Sequence, residues 1–531
     1  VPRKPQTLTD FEEEFRREHP TLVHLLPQLD RAEFPVSHIH RGRGARGEAA
    51  WLIQVKPEEH LRQSFGLAPE VLVLLLPANE AQARDIESGE QELERGLRLD
   101  PGVVLVMAID PKARDRLGPA TQRTGRKYLF IELEAFLAAS DPRPWLMKQM
   151  RSELGAADLF ASGPPVTGWD FFGRVRESDQ LRRYFDAGKP VGLYGLRKIG
   201  KTSLALHTFN DLIKTTGAIC IHLDLLALVG RSLASLMRHL LLATGRALGR
   251  LDMTPEALGL EVSLTAKHLR RIDDERVTRL GFEILEGAID WAEDANRRVF
   301  VFIDEYERLF DEELFPVADA QRILDHLRGL VQLHPGRFNF MFAGLTRRFA
   351  VQTRLGRRQN PLFNFAAELP LPGLTEDELR QLLNKIGRRA GLKFSKEARS
   401  IIWQQSGGHP ALAREFGRLI DRGVSLEERL SRVMIPGERA RGLLTEFAVQ
   451  VAPTMTEMHE AVCRVDERAL PSLVRLAGSP GTFDASVGRE SVEQLRRLGI
   501  ITHAKGGWEV SIGCFADWLR GNFEQPVAAR A

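Results

Sequence analysis

Cysteine is scarce: three in 531 residues, Cys220, Cys463 and Cys514, far apart and without a CxxC pair. That excludes a disulfide framework and a zinc knuckle, and it points to a reducing, cytoplasmic setting. Long hydrophobic runs are missing too. Stretches such as Val71–Pro77 fall far short of the roughly 18 residues of a spanning helix, and the N-terminal VPRKPQTLTDFEEEF carries charges where a signal peptide needs an apolar core. A soluble chain with no membrane partner is expected. Net charge is nearly absent: 74 Lys+Arg against 71 Asp+Glu leave a formal +3. A strongly basic nucleic-acid coat is therefore excluded, although a local patch is not. Lysine itself is rare, 14 against 60 arginines, so a lysine in a motif position is harder to meet by chance.

What is present is an ordinary globular balance of 43% hydrophobic and 27% charged residues, which excludes a largely disordered chain. At about 150 residues per domain the length suggests three or four domains. In residues 1–165, apolar runs at Ala50–Val55, Val71–Leu76, Val103–Ile109 and Tyr128–Ile131 alternate with helical spacing at Asn79–Arg98. This pattern predicts a separate α/β N-terminal domain. The Pro/Gly segment Ala161–Gly168 reads as a linker. A second α/β unit, 166–372, has strand candidates Val191–Tyr194, Ala218–Leu223, Val299–Ile303 and Phe338–Phe342. A long helical stretch, Arg231–Asn296, separates its second and third strands. Residues 373–430 read as helical, opening on a capping signal at Thr375 with Glu376 and Glu378. Residues 431–531 read as a helical connector followed by helices and a ribbon, Gly499–Ser511, turning at Gly506-Gly507. That order and size suggest a winged helix.

The segment Gly195-Leu196-Arg197-Lys198-Ile199-Gly200-Lys201-Thr202 satisfies GxxxxGK[ST], a pattern that chance supplies in about one chain in a hundred. An apolar run precedes it and a helical segment, Ser203–Phe209, follows. Glycines let the backbone wrap phosphates, and bare amides at the helix start supply partial positive charge. Lys201 then reaches the β/γ-phosphates, and Thr202 offers its hydroxyl to Mg²⁺. About 100 residues on, Val299-Phe300-Val301-Phe302-Ile303-Asp304-Glu305 places two carboxylates at the C-terminal edge of a buried strand, where ligands bind in open α/β sheets. Asp304 is expected to hold Mg²⁺, and Glu305 to polarise the attacking water as general base. A third strand runs into Ala343-Gly344-Leu345-Thr346-Arg347-Arg348. An arginine leaving the strand beside two acids suits a γ-phosphate sensor, Arg347 ahead of Arg348. The plainer reading is a solvated basic turn. Catalysis is thus expected from Lys201, Glu305 and Arg347.

Several ordered segments carry a family resemblance. Phe172-Gly173-Arg174-Val175-Arg176-Glu177 is similar to the FxGRxxE segment that precedes the phosphate loop in STAND-type P-loop NTPases. That AAA+-related class includes NLR-like switch proteins and many prokaryotic ATPases. GLRKIGKTSL, running through Ser203, resembles the family's GxRRxGKTSL; IDEYE resembles its Walker B strand, and GLTRR its sensor-1 arginine turn. Pro361–Asn364 followed by Leu371–Glu376 resembles the boundary into a helical lid. Gly407-Gly408-His409-Pro410 is similar to the lid's GxP element, whose proline packs on adenine. The resemblance covers about Trp169–Ile420, extends into the winged-helix candidate and leaves out the first 165 residues. It implies ATP/ADP and Mg²⁺ as ligands, with Gly173, Arg174, residues 195–203 and Pro410 at the nucleotide. It also implies an ATP-hydrolysing switch, a prokaryotic defence or signalling regulator, acting with a protein partner or as a homo-oligomer in the ATP state. Two departures stand out: a longer helical insertion between the second and third strands, and no repeat domain after the winged helix. Sensing or output then falls to the N-terminal domain, the insertion or a partner chain. His503 lies in the domain where some relatives place a phosphate-contacting histidine, but its local match is poor and a surface histidine is the simpler reading.

Two alternatives stay open. Archaeal replication-initiator proteins, more distantly similar, join an AAA+ ATPase to a winged helix on DNA. Here the candidate recognition helix, Ser491–Leu498, carries only a thin positive balance between Arg489 and Arg497, and the densest basic cluster is Arg347, Arg348, Arg354, Arg357 and Arg358. The other alternative is an ATPase-controlled nuclease-like effector. Gln54-Val55-Lys56 resembles a metal-site strand of restriction-endonuclease-like folds, with Asp30 and Glu33 the nearest acids upstream. The acidic run Asp85, Glu87, Glu90, Glu92 and Glu94 reads as a solvated helix face.

Overall fold

The computed structural model describes residues 8–42, 50–95, 98–121, 124, 126–161, 165–166, 171–228, 230, 232–251, 253–311, 315–345, 347, 352–355 and 357–523. The chain gathers into two compact units: 1–172 with 376–403 and 413–449, and 173–375 with 404–412 and 450–531.

The first unit is built on a five-stranded sheet in chain order: β1 Val36–Arg41, β2 Trp51–Val55, β3 Glu70–Leu76, β4 Leu99–Ala108 and β5 Lys127–Glu132. The first three strands pair antiparallel and the last three parallel. Every residue of β3 is buried, and a strand covered on both faces reads as a continuous apolar run. The polar β1 (VSHIHR) is half-exposed and has no such run to announce it. The helix Ala83–Arg95 corrects one expectation in part: Glu87 is exposed and the Glu94 side chain lies outside the described residues, but the other three acids meet protein partners instead of forming a solvated face. Asp85 is buried, which raises its carboxyl pKa, and accepts from the Gln82 amide at 2.8 Å. Glu90 pairs with Arg126 at 2.8 Å, and Glu92 takes the Gln54 side-chain amide at 2.7 Å and faces His40 at 3.0 Å. Glu90 and Glu92 serve cations and donors of the sheet and the loop before β5, because their own helix packs against that sheet, while Asp85 caps the start of the helix.

The helix Glu376–Ala390 belongs to this unit, although about 270 residues separate it from β4 in sequence. Arg389 donates to both oxygens of Asp100 at 2.9 Å, with both side chains 1% exposed. Arg151 donates to the Arg388 and Arg389 carbonyls at 2.8 and 2.9 Å and lies 4.0 Å over the Phe65 ring. A cation at the last carbonyls of a helix satisfies acceptors that lack an intrahelical donor.

The second unit carries an all-parallel sheet of β6 Val191–Tyr194, β7 Ile219–Asp224, β8 Val299–Asp304, β9 Phe338–Gly344 and β10 Ala367–Pro370, in the order β10-β6-β9-β8-β7. This α/β core therefore puts β9 between the strand of the glycine loop and the strand of the two acids. The long helical stretch between β7 and β8 is an integral crossover. Its helices Leu233–Gly249 and Asp274–Asp294 bury Leu236, Leu240, Ile284 and Leu285 in one core with Ile221 and Val301. After β10 this unit includes the helices Leu470–Leu476 and Arg489–Arg497, a ribbon of Ile501–Ala504 and Gly507–Val510, and the helix Gly513–Phe523. Among the described residues no helix is long and apolar enough to cross a membrane.

Candidate phosphate site

The sharp turn out of β6 is possible because residue 195 is glycine: a Cβ there would stand 2.7 Å from the Leu371 carbonyl oxygen and 2.9 Å from Ile199 Cγ2. The loop then curls through left-handed backbone at Lys198 (φ 57°) and Gly200 (φ 103°) before the helix Lys201–Thr216 begins. Glycine suits the second position; at Lys198 the same conformation costs about 1 kcal/mol. Lys201 is buried, and its ammonium donates to the Gly195 and Leu196 carbonyls at 2.8 and 3.0 Å. Burial lowers its pKa, while Glu305, Glu307 and Asp304 pull the other way. An ammonium held this way tethers the loop and faces three carboxylates, a setting that favours a polyanion with an accompanying cation.

The hydroxyl of Thr202 donates to Asp304 Oδ2 at 2.5 Å, joining the helix start to the end of β8. His222, on β7 and stacked against Phe302, stands 3.9 Å from the same oxygen. Glu305 follows with left-handed backbone (φ 54°), an unfavourable conformation for a side-chain-bearing residue. Glu307 accepts the Leu345 amide at 2.5 Å and so holds the turn after β9. Lys201, Leu196, Arg197, Glu305 and Glu307 share a cavity of about 250 Å³. Its other wall comes from the helix Leu444–Asp466: Thr454, Glu457, Met458, Glu460, Ala461 and Arg464. Arg197 reaches across to Glu457 at 3.3 Å. Nothing in the sequence of that helix marks it as a wall over the loop.

Arg347 does not line this cavity. It donates to the two oxygens of Glu368 at 2.9 Å each and to Glu490 at 3.1 Å, and Arg497 donates to Glu368 at 2.9 Å. Glu368 lies on β10, and Glu490 and Arg497 on the helix Arg489–Arg497. Glu493 of that helix takes Arg496 and Arg497, so all four of its charges besides Arg489 are mutually satisfied or turned to the sheet domain. The candidate recognition helix is thus docked, with Glu368 as the shared acceptor. Glu368→Ala is expected to loosen it by about 1 kcal/mol. Amide hydrogen exchange in residues 489–498 should then run about five-fold faster, while β8 amides stay at their original rate.

The remaining candidate residues are dispersed. Gly173 (φ 64°) and Arg174 (φ 61°) form a tight turn, and the buried Arg174 donates to the Ile199 carbonyl at 3.2 Å and the Pro372 carbonyl at 2.6 Å. Arg174 therefore braces the loop from behind instead of lining the cavity. Lys198 is exposed, Ile199 and Ser203 are buried, and Pro410 opens the helix Pro410–Arg422 outside the cavity wall. Arg354, Arg357 and Arg358 are exposed, whereas Thr346 and Arg348 lie outside the described residues. His503 is exposed and packs its ring on Trp508. In the first unit, Lys56 is 3.8 Å from Glu70, and Glu33 pairs with His60 at 2.8 Å and Arg143 at 3.2 Å; Asp30 sits in the helix Leu25–Arg31. Among the described residues no group of three or more His, Cys, Asp or Glu is arranged to hold a metal ion.

No family model matches the chain, and no curated protein matches it by sequence. Among solved structures it is similar to the Walker-type ATPase of Pyrococcus abyssi, at 16% identity and a TM-score of 0.49, over 68% of this chain and 99% of that one. It is also similar to the Aeropyrum pernix ORC2 protein in its ADPNP–ADP complexes, at 14% identity and TM-score 0.42, over 69% and 98% of the two chains. The Aeropyrum pernix ORC1 protein in complex with DNA shares 14% identity at TM-score 0.35, over 68% and 96%.

Proposed function

We propose that the chain is an ATP-binding and ATP-hydrolysing P-loop switch. The observation that carries this reading is the Thr202–Asp304 hydrogen bond of 2.5 Å, made beside a cavity that Lys201 and Glu305 both line. A hydroxyl and a carboxylate in contact, next to a site for phosphate oxygens, form the sparse oxygen set that suits Mg²⁺, which keeps most of its shell as water and phosphate. Thr202 and Asp304 would hold that ion, whose charge when bound offsets that of the phosphates. Lys201 and the amides of residues 198–202 bind the β- and γ-phosphates. Glu305, presented by its left-handed backbone, orients a water and takes its proton. Arg347 is the residue we assign to the γ-phosphate. Its pairing with Glu368 and Glu490 then makes a nucleotide-dependent choice: an arginine drawn to phosphate leaves the helix Arg489–Arg497 without one of its ties.

The modules follow as an N-terminal sensor or effector domain (1–165), the nucleotide domain (166–372), a helical lid (373–430) and a connector with a winged helix (431–531). The STAND assignment, a role in defence or signalling and a protein or self partner come from the motif resemblance. A switch is favoured over a DNA-bound ATPase because four of the five charges of the Arg489–Arg497 helix, Glu490, Glu493, Arg496 and Arg497, are already engaged by protein. Glu305→Gln is the direct test. The amide preserves size but cannot take a proton, so ATP affinity should stay within about three-fold while steady-state hydrolysis falls at least about 100-fold. Undiminished hydrolysis would remove Glu305 from the mechanism.

A further inference from the structure

The glycine pair Gly407-Gly408 lets the chain turn through two successive left-handed residues (φ 55° and 77°) just before Pro410 starts a helix. A side chain at Gly407 would stand 2.7 Å from the Ser511 carbonyl oxygen, and the Gly408 carbonyl accepts the Leu374 amide at 2.7 Å. This turn drives the imidazole of His409, 0% exposed, beneath the phosphate loop. There His409 Nε2 lies 2.9 Å from the Arg197 carbonyl oxygen. A carbonyl only accepts, so Nε2 carries the proton. Nδ1 then holds a lone pair and faces the Leu412 amide at 3.5 Å. Each ring nitrogen meets a partner of the opposite kind, which fixes the tautomer. Burial lowers the His409 pKa to about 4, with the cations Arg174, Lys198 and Lys201 acting the same way, so the ring stays neutral at physiological pH.

We propose that His409 is a positioning residue of the phosphate loop, holding the Arg197–Lys198 peptide so that the Lys198 amide is presented to a nucleotide phosphate. The proposal rests on the P-loop reading above. Its physical basis is the planar trans peptide, in which the carbonyl of one residue and the amide of the next point to opposite sides. Anchoring the Arg197 oxygen on His409 therefore turns the Lys198 N–H away from the protein interior. The left-handed Lys198 backbone, unfavourable by itself, needs such an anchor. Arg174 applies the same logic two residues on, where its bond to the Ile199 carbonyl turns the Gly200 N–H outward. Amides set before the ligand arrives bind it without a reordering cost.

The test is calorimetric titration of adenosine, ADP and ATP into the full chain carrying His409→Leu or His409→Gln. The leucine keeps an apolar body but no donor, and ADP and ATP should bind about ten-fold more weakly while adenosine changes less than about two-fold. Glutamine can donate to the same carbonyl and should recover most of the loss. Should the leucine chain not fold, His409→Asn replaces it: the shorter amide stops short of Arg197 and predicts the same phosphate-specific loss. Unchanged ADP affinity, an equal loss for adenosine and ADP, or no recovery by glutamine overturns the role. A wild-type chain that binds none of the three overturns the P-loop reading along with it, whereas a wild type that binds normally isolates the failure to His409.

Discussion

Lys201→Ala should lose ATP and ADP affinity by roughly 100- to several-thousand-fold, the 3–5 kcal/mol expected when one partner of a buried charged hydrogen-bond set is removed. Two losses combine. The ammonium is the buried cation we assign to the phosphates, and it also tethers the Gly195 and Leu196 carbonyls, so its removal loosens the loop. Lys201→Arg separates the two. It keeps the charge, but a planar fork cannot replace a point charge in a slot where the native side chain is 7% exposed. Arginine should therefore rescue little. Calorimetry on the folded chain, with circular dichroism to confirm the fold, decides the matter. Wild-type affinity in the alanine variant would place the nucleotide elsewhere.

The parts of this site that were legible in sequence are those whose grammar is local. Val191–Tyr194 reads as a strand because it is an unbroken apolar run between polar turns, and the structure assigns the same four residues to β6. Likewise, Val299–Asp304 ends at the acid that meets Thr202. What escaped is set by partners remote in sequence. Glu368 sits on an edge strand of four residues, AELP, too short and polar to stand out, with a proline admissible only because it lies at the strand's end. Its three partners, Arg347, Arg497 and β6, are 21, 129 and about 175 residues away. His409 was visible as part of a glycine-rich turn, but its acceptor is a backbone carbonyl 212 residues earlier, and no side-chain pattern marks a carbonyl. In the acidic helix Ala83–Arg95, Glu90 and Glu92 misled for a related reason. Charge on a helix ordinarily means solvent, yet here Arg126, Gln54 and His40 answer it from other elements.

The same non-locality gives Asp100 a large part in holding the first unit together. Asp100→Ala should destabilise that unit by about 3–5 kcal/mol, because it strands a buried guanidinium. The native carboxylate accepts the amides of Ala68, Gly102 and Val103 at 2.8–2.9 Å as well as Arg389. Those bonds compensate the desolvation of a charge that would otherwise be costly to bury. A cycle of Asp100→Ala, Arg389→Met and the double variant separates the pair from the amides. The double variant should regain about 2 kcal/mol over Asp100→Ala, since methionine leaves no charge to strand. Hydrogen exchange in β3 and β4 is the appropriate reading, because a chain of two units has no single unfolding free energy. A coupling near zero would mean that Arg389 finds other solvation when Asp100 is gone. A coupling of the expected size means that the helix Glu376–Ala390 is held to the N-terminal sheet far more firmly than an exposed ion pair allows. The helix that the motif resemblance assigns to a nucleotide lid would then be, energetically, a part of the N-terminal domain.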